Sequence, residues 1–181
     1  MSCGKLVLLW APWRMKYITS PKQERCIFCI GSSEDKDPEN LVVYRGSKSF
    51  IIMNKYPYNT GHLMVAPYRH VGDLAELSDE ELLDLMKNVN LSIKILKESM
   101  KPEGFNIGVN LGRAAGAGIE DHVHIHVVPR WVGDTNFMPV LSQVKVIPEL
   151  LEATYSKLKE ALSKVLGGAG AKLEDRDIHE K

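Results

Sequence analysis

The most constraining feature of the chain is the segment HVHIHVV at 122–128, in which histidines alternate with valine and isoleucine. Strict alternation of polar and apolar residues is typical of a β-strand with one buried face. Side chains two residues apart point to the same side of a strand, so three imidazoles are expected on one face: His122, His124 and His126. The intervening residues are expected to face the core: Val123, Ile125 and Val127.

A row of imidazoles can bind a metal, perform nucleophilic and acid–base chemistry, or form a polar strand face without a function. Chemistry is favoured here because the loop GRAAGAGIED directly precedes the row. Its glycines Gly112, Gly116 and Gly118 allow the backbone to approach a ligand closely and to present N–H groups to phosphate oxygens. The alternative for this loop is a flexible hairpin connection.

The rest of the chain predicts an α+β fold, with one long helix and a C-terminal helix packed on an antiparallel sheet. Short segments rich in valine and isoleucine are the predicted strands, at 41–44, 49–53, 62–67, 105–111 and 122–128.

The clearest helix is predicted over 79–101, between the capping box Ser78 and Glu81 and the helix-breaking Pro102. Apolar residues at steps of three and four form its expected buried face: Leu82, Met86, Val89, Ile93, Leu96 and Met100. A second helix is predicted from Pro148 to about Leu166, ended by Gly167 and Gly168.

Composition limits the possible classes of protein. The 181 residues are 44% hydrophobic and 25% charged, which is typical of one globular domain. Basic and acidic residues balance at 23 each, which argues against a bulk nucleic-acid binder. No apolar stretch reaches the roughly 18 residues needed to span a membrane. Three cysteines do not form a secreted disulfide framework, so a cytoplasmic protein is predicted.

Three regions are predicted: an N-terminal arm at 1–25, a middle domain that contains the histidine row at 26–147, and a C-terminal helix with a charged tail at 148–181.

Cys26 and Cys29 form a C-x-x-C pair with several possible functions. Zinc binding, a redox pair, reactive thiols and simple packing are all compatible with the spacing. No thioredoxin-like βαβ pattern surrounds the pair, which weakens the redox interpretation. Zinc would require two further nitrogen or sulfur ligands.

The segment HVHIHVV together with NKYPYNTGHLMVAPYRH resembles the histidine triad family over about residues 26–131. The flanking segments LWAPWRMKYI, GFNIGVNLG and VVPRW are similar to the branch that includes diadenosine tetraphosphate phosphorylases. The resemblance implies a dimer that pairs through the long helix and an edge strand into one continuous sheet.

The resemblance also implies roles for individual residues. His124 would attack the α-phosphorus, His126 would contact the scissile phosphate, and His62 would support the triad. Asn54 would bind the ribose. Predicted phosphate contacts come from Asn110, Gly116, Ala117, Gly118 and Trp131, with Trp131 equally compatible with packing. Candidates for the base pocket are Ile27, Phe28, Ile52 and Met64.

Some histidine triad proteins combine C-x-x-C with a histidine after the Gly-His strand and the first triad histidine. The corresponding residues here predict a structural zinc site: Cys26, Cys29, His70 and His122. His122 would then orient its strand and would not be a catalytic acid.

The resemblance implies an enzyme that cleaves dinucleoside polyphosphates, such as diadenosine tetraphosphate, through a nucleotidyl-histidine. Phosphate as the acceptor is slightly favoured over water. Alternatives are a nucleoside phosphoramidate hydrolase, a nucleotide-binding signalling module, and a zinc protein whose histidines all bind metal. Neither a nucleic-acid partner nor a membrane partner is expected.

Overall fold

The structure is a computed structural model that describes residues 26–31, 33–134 and 149–174 of the chain. The predicted N-terminal arm at 1–25, the predicted helix start at Pro148 and the tail from 175 onward lie outside the described residues. The predicted boundary of the middle region at 147 lies outside them as well.

Five strands form one antiparallel sheet in the order β1-β2-β3-β5-β4. Their bounds are Val42–Arg45 (β1), Ser49–Met53 (β2), Leu63–Pro67 (β3), Gly104–Val109 (β4) and Ile125–Arg130 (β5). Among the described residues, three α-helices accompany the sheet: Asp37–Asn40 (α1), Asp79–Met100 (α2) and Leu151–Glu174 (α3). The predicted α+β fold with an antiparallel sheet is confirmed.

The predicted strand over the triad is wrong at its beginning, because β5 starts at Ile125 rather than His122. The segment before β5 is held by other bonds: the His122 ring contacts the Pro67 carbonyl oxygen, and the Val123 N–H donates to the Val71 carbonyl. The alternating apolar residues are nevertheless buried, as predicted. Core burial thus follows the alternation even where the strand hydrogen bonds are missing.

The start of α2 is as predicted. The Ser78 hydroxyl accepts from the Glu81 N–H, and the Glu81 carboxylate accepts from the Ser78 N–H at 2.8 Å. The helix ends at Met100, one residue before the left-handed Lys101.

The predicted buried face of α2 is only partly correct. Met86 is 51% exposed, whereas the buried positions are Leu85, Asn88, Val89, Ser92, Ile95 and Leu96. Two of these buried residues are polar, and the Asn88 amide donates to the Ser49 hydroxyl at 2.7 Å. The apolar pattern therefore did not identify Asn88 and Ser92, because hydrogen bonds allow polar side chains to be buried on this face of α2.

The predicted end of the last helix at Gly167 and Gly168 is wrong, because α3 continues to Glu174. Gly167 does not adopt the positive φ of a residue that terminates a helix. The helix lies beside β1, where the Tyr155 hydroxyl donates to the Val42 carbonyl and the Lys159 ammonium donates to the Val43 carbonyl. A β-bulge interrupts the pairing of β1 at this point.

The two faces of the sheet carry different residues. The larger core lies between the sheet and helices α2 and α3 and includes Val65, Val127 and Leu96. A smaller cluster forms on the opposite face: Phe28, Val42, Phe50, Ile52, Met64 and Ala66. The predicted base-pocket residues Phe28, Ile52 and Met64 therefore lie together, whereas Ile27 is exposed.

Among the described helices, none combines the length and the apolar character needed to cross a membrane.

Candidate active site

His124 is buried immediately before β5, with one ring nitrogen fixed by the backbone. Its Nδ1 lies 2.9 Å from the His122 carbonyl oxygen, which can only accept a hydrogen bond. Nδ1 therefore carries the proton, and Nε2 carries the free lone pair. Burial lowers the pKa of His124, while the hydrogen bond to the carbonyl acts in the opposite direction. The result is a neutral imidazole with its nucleophilic nitrogen unblocked.

His62 and His126 form a hydrogen-bonded pair whose tautomers follow from a backbone donor. The Tyr58 N–H donates to His62 Nδ1 at 3.1 Å, so that nitrogen has no proton. His62 then carries its proton on Nε2 and donates it to His126 Nδ1, 3.0 Å away. His126 Nδ1 is thereby an acceptor, and its own proton sits on Nε2. The pair presents an N–H donor beside the His124 ring, whose centroid is 4.8 Å from that of His126.

The environment keeps both rings of this pair neutral at pH 7. Burial, together with the neighbouring His126 and His124 rings, lowers the pKa of His62 to about 3. Burial lowers the pKa of His126 to about 4, with His124 contributing in the same direction. A neutral His126 can donate through Nε2, as a group that assists a leaving oxygen must.

Tyr58 is a site residue that the sequence analysis missed. Its ring stacks on His62 at 4.7 Å and on His126 at 5.7 Å between centroids, while 55% of the residue stays exposed. The turn that places it here contains Gly61 at a φ of +78°, where a Cβ atom would meet Met100 Sδ at 2.7 Å. The Gly-His dipeptide signals this turn, but the sequence alone does not show which aromatic residue folds over the histidines.

Asn54 lies beside His62. Its Oδ1 accepts from the Tyr56 N–H at 2.8 Å, and its Nδ2 lies 3.3 Å from His62 Nδ1. The predicted ribose ligand is thus at the edge of the histidine pair.

Two other predicted ligands lie at opposite ends of the β4–β5 pair. Val109 pairs with Ile125, so the half-buried Asn110 follows at the end of β4 nearest to the triad. Trp131 follows the far end of β5, about 16 Å along the strand from His126. The structure brings Asn110 close to the triad along the backbone and leaves Trp131 at the other end of the strand.

The glycine-rich loop contains a 3-10 turn at Arg113–Ala115, with positive φ values at Gly112 and Gly116. Two of the predicted phosphate donors are already used: the Gly116 N–H bonds the Arg113 carbonyl at 2.9 Å, and the Ala117 N–H bonds the Gly112 carbonyl at 3.3 Å. A phosphate at these amides would compete with bonds inside the loop.

A second cluster brings together the four predicted metal ligands Cys26, Cys29, His70 and His122. Their donor atoms lie within 4.8 Å of one another. His70 Nδ1 is 3.2 Å from His122 Nδ1, Cys29 Sγ is 3.3 Å from His70 Nδ1, and Cys26 Sγ is 3.5 Å from His122 Nδ1.

The donor set fits a tetrahedral zinc ion. Zinc bonds of about 2.0–2.3 Å place tetrahedral ligand atoms about 3.3–3.8 Å apart, close to the separations found here. The His122 Nε2–H donates to the Pro67 carbonyl oxygen at 2.9 Å, so its Nδ1 presents a lone pair to the cluster. Four protein ligands would close the coordination sphere, which suits a structural ion and leaves no position for substrate.

The fold agrees with that of solved histidine triad proteins. The chain belongs to the HIT family, whose model, described as HIT domain, matches residues 35–132. The solved structure of a Zn-bound histidine triad family protein from Mycobacterium smegmatis superposes with a TM-score of 0.62. That protein is 26% identical, and the match covers 79% of this chain and 96% of the other.

Several curated relatives carry enzyme names. The AP-4-A phosphorylase of Mycobacterium tuberculosis is 42% identical over 158 residues, which is 83% of this chain and 81% of the relative. The adenosine 5'-monophosphoramidase hnt1 of Schizosaccharomyces pombe is 33% identical over 105 residues, 58% of this chain and 74% of the relative. The predicted family and the prediction of an enzyme are confirmed by these matches.

Proposed function

We propose that this chain cleaves dinucleoside polyphosphates, such as diadenosine tetraphosphate, at the α-phosphate through a covalent nucleotidyl-His124. One observation carries the proposal: His124 Nδ1 is fixed by the His122 carbonyl, which leaves Nε2 free as a nucleophile. The nearby His126 carries its proton on Nε2, where it can serve the leaving group.

The first step forms a bond between His124 Nε2 and the α-phosphorus. The bond from that phosphorus to the bridging oxygen breaks, and the electron pair leaves with the oxygen of the departing nucleotide. His126 donates a hydrogen bond from Nε2 to this oxygen, while His62 holds His126 in the required tautomer. Dividing the displacement into two steps lowers each barrier.

In the second step, an acceptor oxygen attacks the phosphorus and the phosphorus–nitrogen bond breaks, which restores neutral His124. With phosphate as the acceptor, diadenosine tetraphosphate gives ADP and ATP; with water it gives AMP and ATP. Phosphate is favoured because the relative that is 42% identical is named a phosphorylase.

Substrate binding is assigned on this proposal to groups near the triad. Asn54 binds the ribose hydroxyls, and Asn110 contacts phosphate. The loop amide of Gly118 contributes a phosphate contact, and those of Gly116 and Ala117 contribute theirs by exchanging their bonds inside the loop. Trp131 is assigned to packing, because it lies about 16 Å along the strand from His126. The apolar cluster that contains Phe28 receives the base, since the Phe28 ring lies 4.5 Å from the His124 ring.

Zinc belongs to the proposal as a structural ion held by Cys26, Cys29, His70 and His122. When bound, it ties the segment that carries Phe28 to the segment that carries His124. It supplies no activated water, because four protein ligands complete its coordination.

Product analysis tests this function. Wild type and His124→Ala are incubated with diadenosine tetraphosphate, with and without inorganic phosphate. ADP and ATP formed only with phosphate identify a phosphorylase, whereas AMP and ATP under both conditions identify a hydrolase. Cleavage that survives in His124→Ala contradicts the covalent mechanism. Trapping of labelled nucleotide on the wild type, but not on the variant, provides the matching positive result.

A nucleoside phosphoramidate hydrolase is the second candidate, because one relative is named adenosine 5'-monophosphoramidase. The same nucleophile would displace an amine instead of a nucleotide. The ratio of kcat/KM values for adenosine phosphoramidate and diadenosine tetraphosphate decides between the two substrate classes.

A homodimer completes the proposal. The outer edge of β4 has no strand partner among the described residues, and Ile107 on this strand is exposed, as are Leu83 and Met86 of α2. Pairing of two copies through β4 and α2 would cover this surface in a continuous sheet. Sedimentation of wild type and Ile107→Lys tests it: the proposal expects a dimer that the lysine dissociates.

A further inference from the structure

We propose that Asn59 and Asp134 are positioning residues, which hold the Tyr58 peptide N–H against His62 and thereby keep the proton of His126 on Nε2. The effect on turnover rests on the proposed function, whereas the effect on the tautomers does not.

Asn59 connects the turn before β3 to the end of β5. The residue is only 6% exposed, and its Nδ2 donates both to the Pro129 carbonyl at 2.9 Å and to Asp134 Oδ2 at 2.8 Å. Its own carbonyl accepts the His62 N–H at 3.1 Å. Asn59 therefore fixes the turn that contains Tyr58 at both its side chain and its backbone.

Asp134 is the second residue of this connection, which we call the Asn59–Asp134 clamp. Its carboxylate accepts from Arg130 Nε at 2.6 Å and Nη2 at 2.8 Å, and it lies 3.3 Å from the Trp131 N–H. The Asp134 side chain is only 7% exposed, so these bonds form away from most of the solvent. Arg130 is further held by the Asn106 side chain at 2.7 Å. The clamp is thus anchored to β4 as well as β5.

The chemistry of the clamp requires an amide at position 59. Two acceptors, a carbonyl and a carboxylate, converge on one nitrogen, and an NH₂ group supplies the two hydrogens they need. An aspartate of the same size could not donate, and it would place a second carboxylate against Asp134. This requirement exceeds what simple packing of a turn would demand.

The link to the histidine pair is one peptide long. Tyr58 precedes Asn59 directly, and its N–H at 3.1 Å is the shorter of two donor contacts that keep His62 Nδ1 free of a proton. The longer contact comes from Asn54 Nδ2 at 3.3 Å. If this peptide turns away, His62 can carry its proton on Nδ1 and accept through Nε2. His126 must then donate from Nδ1, so its Nε2 loses the proton that would serve the leaving group. Each ring keeps one proton, and only its position changes.

The test compares Asn59→Ala with Asn88→Ala, because Asn88 is an equally buried amide, 4% exposed, on α2 and away from the triad. Imidazole ¹⁵N spectra of the resting proteins report which nitrogen of each histidine is protonated. We expect His62 and His126 in Asn59→Ala to shift toward the Nδ1–H tautomer, and those in Asn88→Ala to match the wild type. We also expect kcat of Asn59→Ala to fall about 10-fold or more with KM within about twofold.

Asn59→Asp serves as the second variant, since it preserves side-chain volume and removes both donors. It is expected to show the same tautomer shift. Wild-type ¹⁵N signals in either folded Asn59 variant overturn the proposal, as does a fall in kcat no larger than that of Asn88→Ala. If the wild type cleaves no nucleotide, the proposed function fails, and the ¹⁵N spectra still decide whether the clamp sets the tautomers.

Discussion

Two clusters of imidazoles lie next to each other in this structure, and they satisfy their ring nitrogens differently. In the metal cluster of Cys26, Cys29, His70 and His122, a backbone carbonyl takes the Nε2–H of His122 and leaves Nδ1 facing the other donor atoms. In the triad cluster of His62, His124 and His126, a carbonyl takes the Nδ1–H of His124 and leaves Nε2 free.

The choice of nitrogen therefore separates the proposed metal ligand His122 from the proposed nucleophile His124, two residues away. In the triad cluster, the Tyr58 N–H donates to His62 Nδ1, and the His62 Nε2–H donates to His126 Nδ1. Both of these nitrogen lone pairs therefore accept a hydrogen. In the metal cluster, two sulfur atoms and two Nδ1 atoms converge, and a cation is the natural partner of such a set. Damage to the triad cluster should remove turnover, and damage to the metal cluster should lower stability.

The largest expected effect is on turnover in His126→Ala. Loss of the Nε2–H donor should lower kcat on diadenosine tetraphosphate by about 10²–10³-fold. Zinc content and the melting temperature should stay close to wild type, because His126 is not a member of the metal cluster. Steady-state kinetics and metal analysis on the same preparation check both parts. Loss of zinc from His126→Ala would contradict the independence of the two clusters.

Removal of a metal ligand should mainly lower zinc content and stability rather than turnover. In Cys29→Ala we expect loss of zinc and of about 2–4 kcal/mol of unfolding free energy, as for other cross-links that close long loops. For a chain of this size, the melting temperature would fall by roughly 5–15 °C. Cys3→Ala is the control, because it removes the one cysteine that is not a predicted zinc ligand. A stable Cys29→Ala that retains zinc would contradict the assignment.

The third prediction concerns pH. His62 and His126, with pKa values of about 3 and about 4, should not titrate between pH 8 and 5, whereas an ordinary histidine has a midpoint near 6.5. Below about pH 6.5 the unfolded chain binds protons at these two histidines, whereas the folded rings stay unprotonated. The two rings therefore lower the free energy of unfolding as pH falls toward 4. NMR titration measures the pKa of each ring in the folded protein, with the urea-unfolded protein as the reference. A midpoint near 6.5 for either ring would exclude the tautomer chain.

The smallest expected effect belongs to Asn54→Ala. The Tyr58 N–H still holds His62 Nδ1, so kcat should change by less than about twofold. Loss of the proposed ribose hydrogen bond should raise KM about 3–10-fold, since a neutral hydrogen bond contributes about 0.5–1.5 kcal/mol. Asn90→Ala on the exposed side of α2 is the matched control. A collapse of kcat would instead make Asn54 a necessary donor to His62.

Local signals were the ones that sequence analysis interpreted correctly. The capping box at Ser78 and Glu81 involves neighbouring residues, and it marked the start of α2. The three histidines and the C-x-x-C pair predicted residues that the structure does bring together. The alternating pattern also identified the buried residues around the triad, although β5 itself begins later.

The errors arose where distant parts of the chain decide the outcome. The buried face of α2 includes Asn88, whose partner Ser49 is 39 residues away. The clamp joins Asn59 to Asp134 across 75 residues, and no local pattern signals it. At Gly167, the cost of glycine in a helix, about 1 kcal/mol, was too small to end α3.

The contact between α3 and β1 has a consequence for how copies of this chain can assemble. A sheet with two open edges can extend without limit, because every added copy offers a new edge for the next. Here a bulge interrupts β1, and Tyr155 and Lys159 occupy its Val42 and Val43 carbonyls. At the other side of the sheet, the outer edge of β4 has no strand partner among the described residues. In the proposed dimer, joining two copies through their β4 edges would use up both of these edges, so growth through them would stop at a pair.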